Sequence, residues 1–382
     1  MARVAAMAEG GLAVRVRRRA PIPLDAELAC APGEILALVG PSGSGKSSLL
    51  RCIAGLLAPG EGRIVCAGET WLDTARGVDV PTPRRRIGLV FQSYALFPHL
   101  TALENVMEGL GHRPAREQPA QARALLRLVH LAGLEDRKPR HLSGGQQQRV
   151  AVARALARDP HVLLLDEPFS AVDRSTREKL YGELAELRRD LRMPTILVTH
   201  DLDEATMLAD RLCILSHGAT LQAGTPLEVL QRPASVAVAR LVGLKNIFEG
   251  EVVAHDRGAE TTHVRWQGRQ VAAALQEDFP PGSAVAWAIP TAGVLLLGPE
   301  EGVRGPRDTP VEGTIVTLVT LGDQVRATVR VAGADQASLF TTVPRHLAAR
   351  YGLAEGRPLT LRLRGESIRL LPPGGEQEAI AA

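Results

Sequence analysis

The chain has 382 residues, of which 45% are hydrophobic, 23% charged and 3% aromatic, and its formal net charge is +3. This length predicts two or three domains with a large buried core, and the composition excludes a disordered or fibrous chain. The scarcity of aromatic residues argues against modules that stack nucleic-acid bases, and the small net charge gives no indication of a polyanionic partner. We therefore expect no nucleic-acid partner.

Cysteine usage and hydropathy predict the compartment. Four scattered cysteines, none in a C-x-x-C pair, are typical of reduced, packed thiols in a cytosolic protein. The charges near the N-terminus follow the small apolar residues, which is the reverse of a signal peptide. No window reaches about 18 consecutive apolar residues, so work at a membrane is expected to depend on a partner.

Residues 32 to about 233 alternate short apolar runs with longer amphipathic patterns. Strands buried on both faces are predicted at 35–39, 86–91, 162–165 and 195–199. Helices are predicted from Gly45 to about Leu57, from Gln121 to Leu131 and from Arg177 to Leu191. This order predicts an α/β domain with a largely parallel sheet.

After Arg240 the pattern changes to short alternating strands separated by glycine, proline and aspartate, as at 314–318, 325–331 and 359–363. The segment 249–253 resembles 312–316, an offset of 63 (312 − 249), and 281–297 resembles 355–371 with a larger offset. We predict domains at 1–239 and 240–382, the second composed of two small β units at about 243–298 and 309–372 with 298–309 as a linker.

A glycine-rich segment follows the first predicted strand and opens a helix. It fits G-x-x-x-x-G-K-[ST], and its residues are Gly40, Pro41, Ser42, Gly43, Ser44, Gly45, Lys46 and Ser47, with Ser48 next in the helix. Such a loop turns backbone N–H groups and a helix N-terminus toward phosphates. Lys46 is predicted to reach the β- and γ-phosphates and Ser47 to ligate Mg²⁺.

Two carboxylates end the strand predicted at 162–165. A parallel strand delivers its C-terminal residues to the crevice where ligands bind, so Asp166 is predicted to reach the Mg²⁺ shell. Glu167 is then placed to polarise an attacking water as general base. Taken alone, such a pair is also typical of a helix cap or a solvated turn.

Four further motifs follow in a fixed order. They are Val90-Phe91-Gln92-Ser93-Tyr94, Leu142-Ser143-Gly144-Gly145-Gln146, Ser170-Ala171-Val172-Asp173 and Val198-Thr199-His200-Asp201. With these motifs, residues 10–233 resemble the ABC-type ATPases of the P-loop NTPase fold. The resemblance implies that Gln92 senses Mg²⁺ and the attacking water and that His200 contacts the γ-phosphate. Without the motifs, His200 would be interpreted as a packed histidine at a strand end.

The resemblance also implies a homodimer in which two subunits pair head to tail around two ATP molecules. The phosphate loop of one subunit then faces Ser143, Gly144 and Gly145 of the other, with Gln146 and Asp173 also at the nucleotide. A serine and two glycines at a helix N-terminus form a second phosphate cradle, which a single active site does not need.

One feature of the family is missing upstream of the phosphate loop. Family members usually place an aromatic ring there to stack on adenine, whereas Val14 to Pro21 contains none. The guanidinium plane of Arg17 or Arg19 would serve instead, or the segment is a solvated basic turn.

The segment Ser93 to Leu100 carries several large apolar residues, and an exposed apolar patch marks a docking surface. In import ABC systems, which the chain resembles, this region receives the coupling helix of a membrane permease. Tyr94, Leu96 and Phe97 are the predicted contacts, with a core position as the alternative for Leu96. The resemblance places the protein at the cytoplasmic face of the inner membrane and connects it indirectly with a periplasmic solute-binding protein.

The β-rich tail resembles the oligonucleotide-fold (TOBE) barrels of solute-importer ATPases, and within them the molybdate-binding Mop type. The segment Lys245-Asn246-Ile247-Phe248-Glu249-Gly250-Glu251-Val252 is similar to the opening of those domains, and the second unit has Thr309-Pro310 where the asparagine would fall. A lysine and backbone amides would hold a tetrahedral oxyanion. A purely structural barrel is the alternative.

These resemblances predict the ATP-hydrolysing subunit of an importer for an oxyanion, with molybdate or tungstate as the first expectation. The alternatives are import of sulfate, ferric iron, polyamine or sugar, with the same motifs. An ABC ATPase of DNA repair or translation is a rival of another class, but it would usually carry long coiled coils or a second ATPase domain, and neither pattern is present in this sequence.

Overall fold

The computed structural model describes residues 10–170, 177, 181–182, 192–297, 305, 307–333 and 337–374. These divide into two compact units, with the boundary between Val229 and Leu230. The boundary lies before the predicted one because the helix Val236–Leu241 packs Val236 and Ala239 against Ala286 and Ala288 of the tail. The helix therefore belongs to the second unit.

One eleven-stranded sheet runs through the first unit. Its strands are β1 (Leu12–Arg18), β2 (Leu24–Cys30), β3 (Ile35–Val39), β4 (Glu61–Cys66), β5 (Glu69–Asp73), β6 (Val78–Asp79), β7 (Ile87–Val90), β8 (Val162–Asp166), β9 (Thr195–Thr199), β10 (Arg211–Ser216) and β11 (Ala219–Gly224). Their order is β6-β5-β4-β1-β2-β11-β10-β3-β9-β8-β7. The predicted strands β3 and β9 have the bounds that the apolar runs gave them.

The expectation of a largely parallel sheet is correct for only one half. Strands β10, β3, β9, β8 and β7 are parallel neighbours, whereas β6, β5, β4, β1 and β2 pair antiparallel. The antiparallel strands were missed because they have one exposed face and carry charges on it. In β1, for example, Arg15 and Arg17 are exposed while Val14 and Val16 are buried.

Six described helices accompany this sheet. They are α1 (Lys46–Ala54), α2 (Ala102–Met107), α3 (Gln118–Leu128), α4 (Gly144–Leu156), α5 (Leu202–Leu208) and α6 (Pro226–Gln231), the last of which crosses the unit boundary. Helix α1 ends before the predicted Leu57 because Gly55 adopts a left-handed conformation and caps it. Of the helix predicted over 177–191, Arg177 and Tyr181–Gly182 are helical, and the rest lies outside the described residues.

Packing of α1 on the parallel strands forms the main core of the first unit. Leu49, Leu50 and Ile53 of α1 lie in one buried cluster with Leu36 and Leu38 of β3. Each fully buried side chain of this kind stabilises the fold by about 1.5–3 kcal/mol. The packing fixes the start of α1 at the carboxyl end of β3, beside the ends of β9, β8 and β7. No described helix is long and apolar enough to cross a membrane.

In its described residues, the second unit contains two five-stranded antiparallel sheets and two short α-helices. Its strands are β12 (Asn246–Asp256), β13 (Thr261–Trp266), β14 (Arg269–Ala274), β15 (Ala284–Ile289), β16 (Val294–Leu296), β17 (Asp308–Leu321), β18 (Gln324–Val331), β19 (Ser338–Pro344), β20 (Pro358–Arg364) and β21 (Arg369–Leu371), and its helices are α7 (Val236–Leu241) and α8 (Arg345–Arg350). The sheet orders are β14-β13-β12-β15-β21 and β16-β20-β17-β18-β19. This all-β, barrel-like tail behind an α/β domain confirms the predicted fold class.

The two predicted β units exchange their last strands. Strand β16, from the predicted β unit at 243–298, pairs with β20 of the predicted β unit at 309–372. Strand β21, from the unit at 309–372, pairs with β15 of the unit at 243–298. Both sheets contribute to one core, in which Trp287 and Leu361 are buried. The units are therefore interlocked. The proposed linker is also shorter than predicted because β17 already begins at Asp308; residues 298–304 and 306 lie outside the described part of the chain.

The internal repeat predicted from the sequence is present in the register of the strands. Strand β12 has a register shift between Val252 and Ala254, and β17 has one between Ile315 and Thr317. These positions differ by the offset of 63 that relates the two sequence segments (315 − 252). The second copy has the larger offset further on because it contains the additional helix α8.

Candidate functional site

The carboxyl ends of four neighbouring parallel strands bring the predicted nucleotide residues together. The phosphate loop follows β3, His200 follows β9, Asp166 ends β8 and Gln92 lies two residues beyond β7. Ligands bind at this edge of an open α/β sheet because the loops that leave the strands meet there. A cleft of about 450 Å³ opens at the same edge and is lined by Arg51, Phe91, Gln92, Ser93, Asp166 and Ser170.

The phosphate loop wraps closely around the side chain of Lys46. Its Nζ donates hydrogen bonds to the carbonyl oxygens of Gly40 at 2.8 Å and Pro41 at 2.9 Å. Gly40 is required by close packing, since a Cβ atom at this position would lie 2.0 Å from the carbonyl oxygen of Leu215. Burial lowers the pKa of Lys46, and the carboxylates of Glu167 and Asp166 partly restore it.

The remaining loop residues divide into an exposed rim and a buried base. Pro41, Ser42 and Gly43 are exposed, whereas Ser44, Gly45 and Ser48 are buried. Gly45 has a φ of 96° and precedes the first residue of α1. The hydroxyl of Ser44 is buried and has no hydrogen-bond partner among the described residues. The loop therefore turns its accessible backbone outward at 41–43, immediately before the helix N-terminus.

Two oxygen donors with the chemistry of a magnesium site face each other. Ser47 Oγ donates a hydrogen bond to Asp166 Oδ1 over 3.0 Å. Burial raises the pKa of Asp166, and this hydrogen bond lowers it. Mg²⁺ prefers hard oxygen ligands and is usually bound through one or two carboxylates together with phosphate oxygens and waters. The pair fits such an ion, which in this setting would neutralise phosphate charge.

Glu167 lies between Gln92 and His200. Its Oε2 accepts a hydrogen bond from Gln92 Nε2 at 3.3 Å and is 3.4 Å from His200 Nδ1. The His200 side chain is 58% exposed, which excludes the interpretation as a packed histidine. Glu167 is a non-glycine residue with a φ of 46°, a conformation that is uncommon and concentrated at functional sites. The three side chains form one connected group.

The motif Leu142-Ser143-Gly144-Gly145-Gln146 lies at the start of α4. Ser143 caps the helix: its Oγ accepts from Gln146 N at 3.3 Å, and Gln146 Oε1 accepts from Ser143 N at 2.9 Å. Gly144 and Gly145 form the first turn. In the described part of the chain, no hydrogen bond or ion pair joins Ser143 to the phosphate loop of the same subunit. Asp173, the remaining predicted residue, lies outside the described residues.

The arginines upstream of the phosphate loop lie in or next to a strand. Arg17 belongs to β1, and its Nε donates to Asp25 Oδ2 of β2 at 3.1 Å. This partner raises the pKa of Arg17. The segment up to Arg18 is therefore a strand and not a basic turn. Arg19 follows the strand and is exposed. A role in adenine stacking stays a prediction for either residue.

Tyr94 corrects one of the predicted permease contacts. Its side chain is only 5% exposed, and its Oη donates a hydrogen bond to the carbonyl oxygen of Pro168 at 3.2 Å. It is thus turned away from the surface because its hydroxyl finds a buried acceptor. Phe97 is 42% exposed as predicted, and Leu96 is half-buried. Phe91, which precedes Gln92, is 39% exposed and was not among the predicted contacts.

In the tail, Asn246 and Thr309 link strands. The Asn246 side chain is fully buried, with Nδ2 donating to Phe340 O at 2.8 Å and Oδ1 accepting from Phe340 N at 2.7 Å. Lys245 Nζ lies 5.8 Å from the centre of the Phe340 ring. Thr309 Oγ1 accepts a hydrogen bond from Ala272 N at 3.0 Å. These contacts fit the structural-barrel alternative, since both amide atoms of Asn246 have partners.

Two residues near the site were missed in the sequence. Glu204 of α5 is 4% exposed, and burial raises its pKa to about 7. Its spacing to Leu208 places it on the buried face of the helix, which is a signal the sequence contained. Arg154 of α4 donates to the carbonyl oxygens of Tyr94 and Ala95. No local sequence pattern indicates the contacts of Arg154, because its partners lie about sixty residues away in the sequence.

Comparison with known proteins gives a consistent family. Residues 24–170 match the ABC transporter family. The chain is 38% identical over 354 residues to the sulfate/thiosulfate import ATP-binding protein CysA of Burkholderia pseudomallei, a match that covers 91% of this chain and 92% of that protein. It is 45% identical over 228 residues to the spermidine/putrescine import ATP-binding protein PotA of Oleidesulfovibrio alaskensis, covering 59% of this chain and 60% of that protein.

A solved structure of the bacterial ABC transporter cassette MJ0796, described as dimeric, is 33% identical to this chain. The match covers 56% of this chain and 98% of the cassette, with a TM-score of 0.48.

Proposed function

We propose that this protein hydrolyses ATP to power uptake of sulfate or thiosulfate. The chain belongs to the import ATP-binding subunits of ABC transporters, because it matches the ABC transporter family and is 38% identical to such a subunit over 91% of this chain. One observation carries the choice of solute: the match to the sulfate/thiosulfate protein extends over both halves of the chain. The relatives favour this alternative over the molybdate expectation, which stays a prediction. Polyamine import is the second candidate, because a polyamine relative is 45% identical over a shorter match.

The geometry supports an in-line attack of water on the γ-phosphate. Glu167 acts as general base, since its carboxylate is accessible in part and is oriented by Gln92 and His200. Lys46 places its charge beside the phosphates. Ser47 and Asp166 would hold Mg²⁺, which supplies charge neutralisation when it is bound.

A second candidate phosphate cradle, at Ser143, Gly144 and Gly145, supports a head-to-tail homodimer. The serine is exposed and Gly144 is half-buried at the start of α4, and in the described residues no hydrogen bond or ion pair joins this motif to the phosphate loop of its own chain. We propose that they contact the ATP of a second subunit, as does Asp173. Each site would then be completed only when two copies close around the nucleotide.

The exposed aromatic side chains on either side of Gln92 in the sequence support a membrane partner. Phe91 and Phe97 are exposed, and Leu96, the neighbour of Phe97 in the sequence, is half-buried. We propose that this surface receives a membrane permease at the cytoplasmic face of the inner membrane, and that a periplasmic solute-binding protein delivers the solute to that permease. Tyr94 is not part of this surface.

The function is tested by uptake and by hydrolysis with the same variant, Glu167→Gln. In cells lacking the gene, the wild-type protein is expected to restore uptake of labelled sulfate and Glu167→Gln to fail. The purified variant is expected to bind ATP normally and to hydrolyse it about 10²–10⁴-fold more slowly, because a general base contributes that much. Glu277→Gln, a change at an exposed ion pair in the tail, serves as the control.

The outcomes separate the alternatives. Wild-type hydrolysis by Glu167→Gln excludes Glu167 as the base. Restoration of spermidine uptake without sulfate uptake establishes the polyamine alternative, and restoration of molybdate uptake alone establishes the first expectation from the sequence.

A further inference from the structure

The proposed base Glu167 is a left-handed, non-glycine residue, and so are Tyr94 and Ala95 in the segment beyond Gln92. Tyr94 has a φ of 59°, Ala95 of 47° and Glu167 of 46°. Such a conformation is unfavourable and persists only where the surroundings hold it. Tyr94 and Ala95 form a tight turn, with Tyr94 N donating to Phe91 O at 2.8 Å and Ala95 N to Ser93 O at 2.7 Å. This turn and Glu167 belong to different segments of the chain.

The connection is a single buried hydrogen bond. The Tyr94 hydroxyl donates to the carbonyl oxygen of Pro168, the residue that follows Glu167. Burial raises the pKa of Tyr94, so the hydroxyl keeps its proton at neutral pH and remains a donor. Leaving a buried carbonyl without its donor is unfavourable because water cannot take the donor's place, so this bond favours one position of the Pro168 carbonyl.

The rest of the Glu167 main chain is held on other sides. Glu167 N donates to Val198 O of β9 at 3.0 Å, and Glu167 O accepts from Ser170 N at 3.2 Å and from Ser170 Oγ at 2.9 Å. The Tyr94 bond fixes the next carbonyl along the chain. The contacts of Glu167 N and O hold the two peptide groups that flank Glu167, and the Tyr94 bond holds the next one, between Pro168 and Phe169, so that the segment leaving Glu167 is fixed in direction.

The turn that carries Tyr94 is itself held by α4. Arg154 Nη2 donates to Tyr94 O at 2.9 Å and Nη1 to Ala95 O at 2.8 Å. The guanidinium also lies 5.6 Å from the centre of the exposed Phe97 ring. The planar guanidinium reaches the two carbonyls with two different nitrogens in a fixed fork, a geometry that the single nitrogen of a lysine does not reproduce. The position of the Tyr94 hydroxyl therefore depends on α4, the helix that begins at Ser143.

We propose that Tyr94 is a positioning residue for Glu167: its hydroxyl, placed by Arg154, holds the Pro168 carbonyl and keeps Glu167 in the left-handed conformation that directs its carboxylate to Gln92 and His200. This inference rests on the proposed hydrolysis through Glu167. It gives Tyr94 a role in the rate of hydrolysis instead of a contact with a partner.

The test is Tyr94→Phe in the full-length protein, which removes only the hydroxyl. Steady-state ATP hydrolysis with Mg²⁺ is expected to show a kcat lowered about tenfold with an unchanged KM for ATP, because one buried hydrogen bond is lost and the nucleotide contacts remain. Tyr351→Phe in the second unit is the matched control and is expected to keep wild-type kcat. A wild-type kcat for Tyr94→Phe overturns the proposal.

A double-mutant cycle with Glu167→Gln identifies the route of the effect. If the hydroxyl acts through Glu167, Tyr94→Phe causes no further loss in the residual rate of Glu167→Gln. An equal fold-loss in both backgrounds shows that the hydroxyl acts elsewhere and overturns the proposal. Wild-type hydrolysis by Glu167→Gln alone refutes the proposed base, and with it this role of Tyr94, so the two failures are distinguishable.

Arg154→Lys is a second variant that does not alter the tyrosine. It keeps the charge but loses the paired donors to Tyr94 and Ala95. We expect a severalfold loss of kcat with unchanged KM, and again no further loss in Glu167→Gln. An unchanged kcat contradicts the placement of Tyr94 by Arg154, including the case in which Tyr94→Phe fails to fold.

Discussion

At the scale of single residues, two nearby glutamates meet different surroundings. Glu167 accepts from Gln92 and lies beside His200, whereas Glu204 is almost completely buried, and its Oε1 has no hydrogen-bond partner among the described residues. Burial raises the pKa of Glu204 to about 7, and Asp201 and Glu167 add to the rise, while Thr199 and Arg177 oppose it. Between pH 4.5 and about 7, the folded protein therefore keeps a proton on Glu204 that the unfolded chain releases.

The raised pKa of Glu204 predicts a pH-dependent stability. From pH 4.5, the ordinary value, to about 7 the unfolded chain ionises this carboxyl while the folded chain keeps it protonated, so its contribution to the free energy of unfolding falls as the pH rises. Above pH 7 the penalty is constant, at about 3 kcal/mol. Glu204→Gln removes the ionisation and is expected to be more stable than wild type at pH 8 by about this amount, with little difference at pH 5.

Urea unfolding of both proteins at the two pH values measures the difference. Asp203→Asn, at the exposed neighbouring position, is the control and should show no comparable gain between pH 5 and pH 8. A difference between Glu204→Gln and wild type that is the same at both pH values would contradict the raised pKa.

At the scale of the elements, the helix that carries Lys46 and Ser47 is held at its far end by one arginine. Arg85 is 2% exposed, and its Nη1 donates to Cys52 O at 3.0 Å and Ile53 O at 2.8 Å, in the last turn of α1. Its Nε donates to Val80 O at 2.7 Å, just after β6. The last carbonyls of a helix lack N–H partners within the helix, and Arg85 supplies donors to two of them. The same side chain connects α1 to the antiparallel strands.

Replacing this arginine is expected to destabilise the fold strongly. Arg85→Met keeps the length of the side chain but removes the donor to the Ile53 and Val80 carbonyls and one of the two donors to the Cys52 carbonyl, which also accepts from Gly55 N, at a cost of about 3–5 kcal/mol. Arg84→Met, at the exposed preceding position, should cost less than about 0.5 kcal/mol. Urea unfolding of the two variants checks the contrast, and equal stabilities would show that Arg85 is not a cap of α1.

At the scale of the whole molecule, the exchange of β16 and β21 decides how the tail folds. Without β21, β15 would lose one of its neighbours, and without β16, β20 would lose one. The core between the sheets draws on both halves of the repeat, from Val252 and Trp287 in the first to Ile315 and Leu361 in the second. Neither half can bury its apolar face alone.

We therefore expect the tail to fold as one unit. A fragment of residues 230–382 should show a single cooperative thermal transition, whereas 243–297, one copy of the repeat, should remain unfolded because it lacks β21 and half of the core. Circular dichroism of both fragments measures this. A folded 243–297 fragment, or two separate transitions in 230–382, would show that the copies are independent.

Much of the site could be predicted because its signals are local. The phosphate loop needs glycine, lysine and serine at fixed spacings, and buried parallel strands appear as unbroken apolar runs, as at β3 and β9. The antiparallel strands were harder to predict, since β1 carries Arg15 and Arg17 on an exposed face and this charge resembles a solvated turn. Strand propensity depends on the partner as well as on the strand itself.

The sequence by itself determined the nucleotide motifs, the α/β and β division and the internal repeat, because each of these is encoded in the spacing of nearby residues. Only the tertiary structure decided that Tyr94 is buried against Pro168, that Asn246 is hydrogen-bonded to Phe340, and that β16 and β21 change sheets. In each of these cases the partner lies far along the chain, and the free energy of the contact exists only after the fold has brought the two segments together.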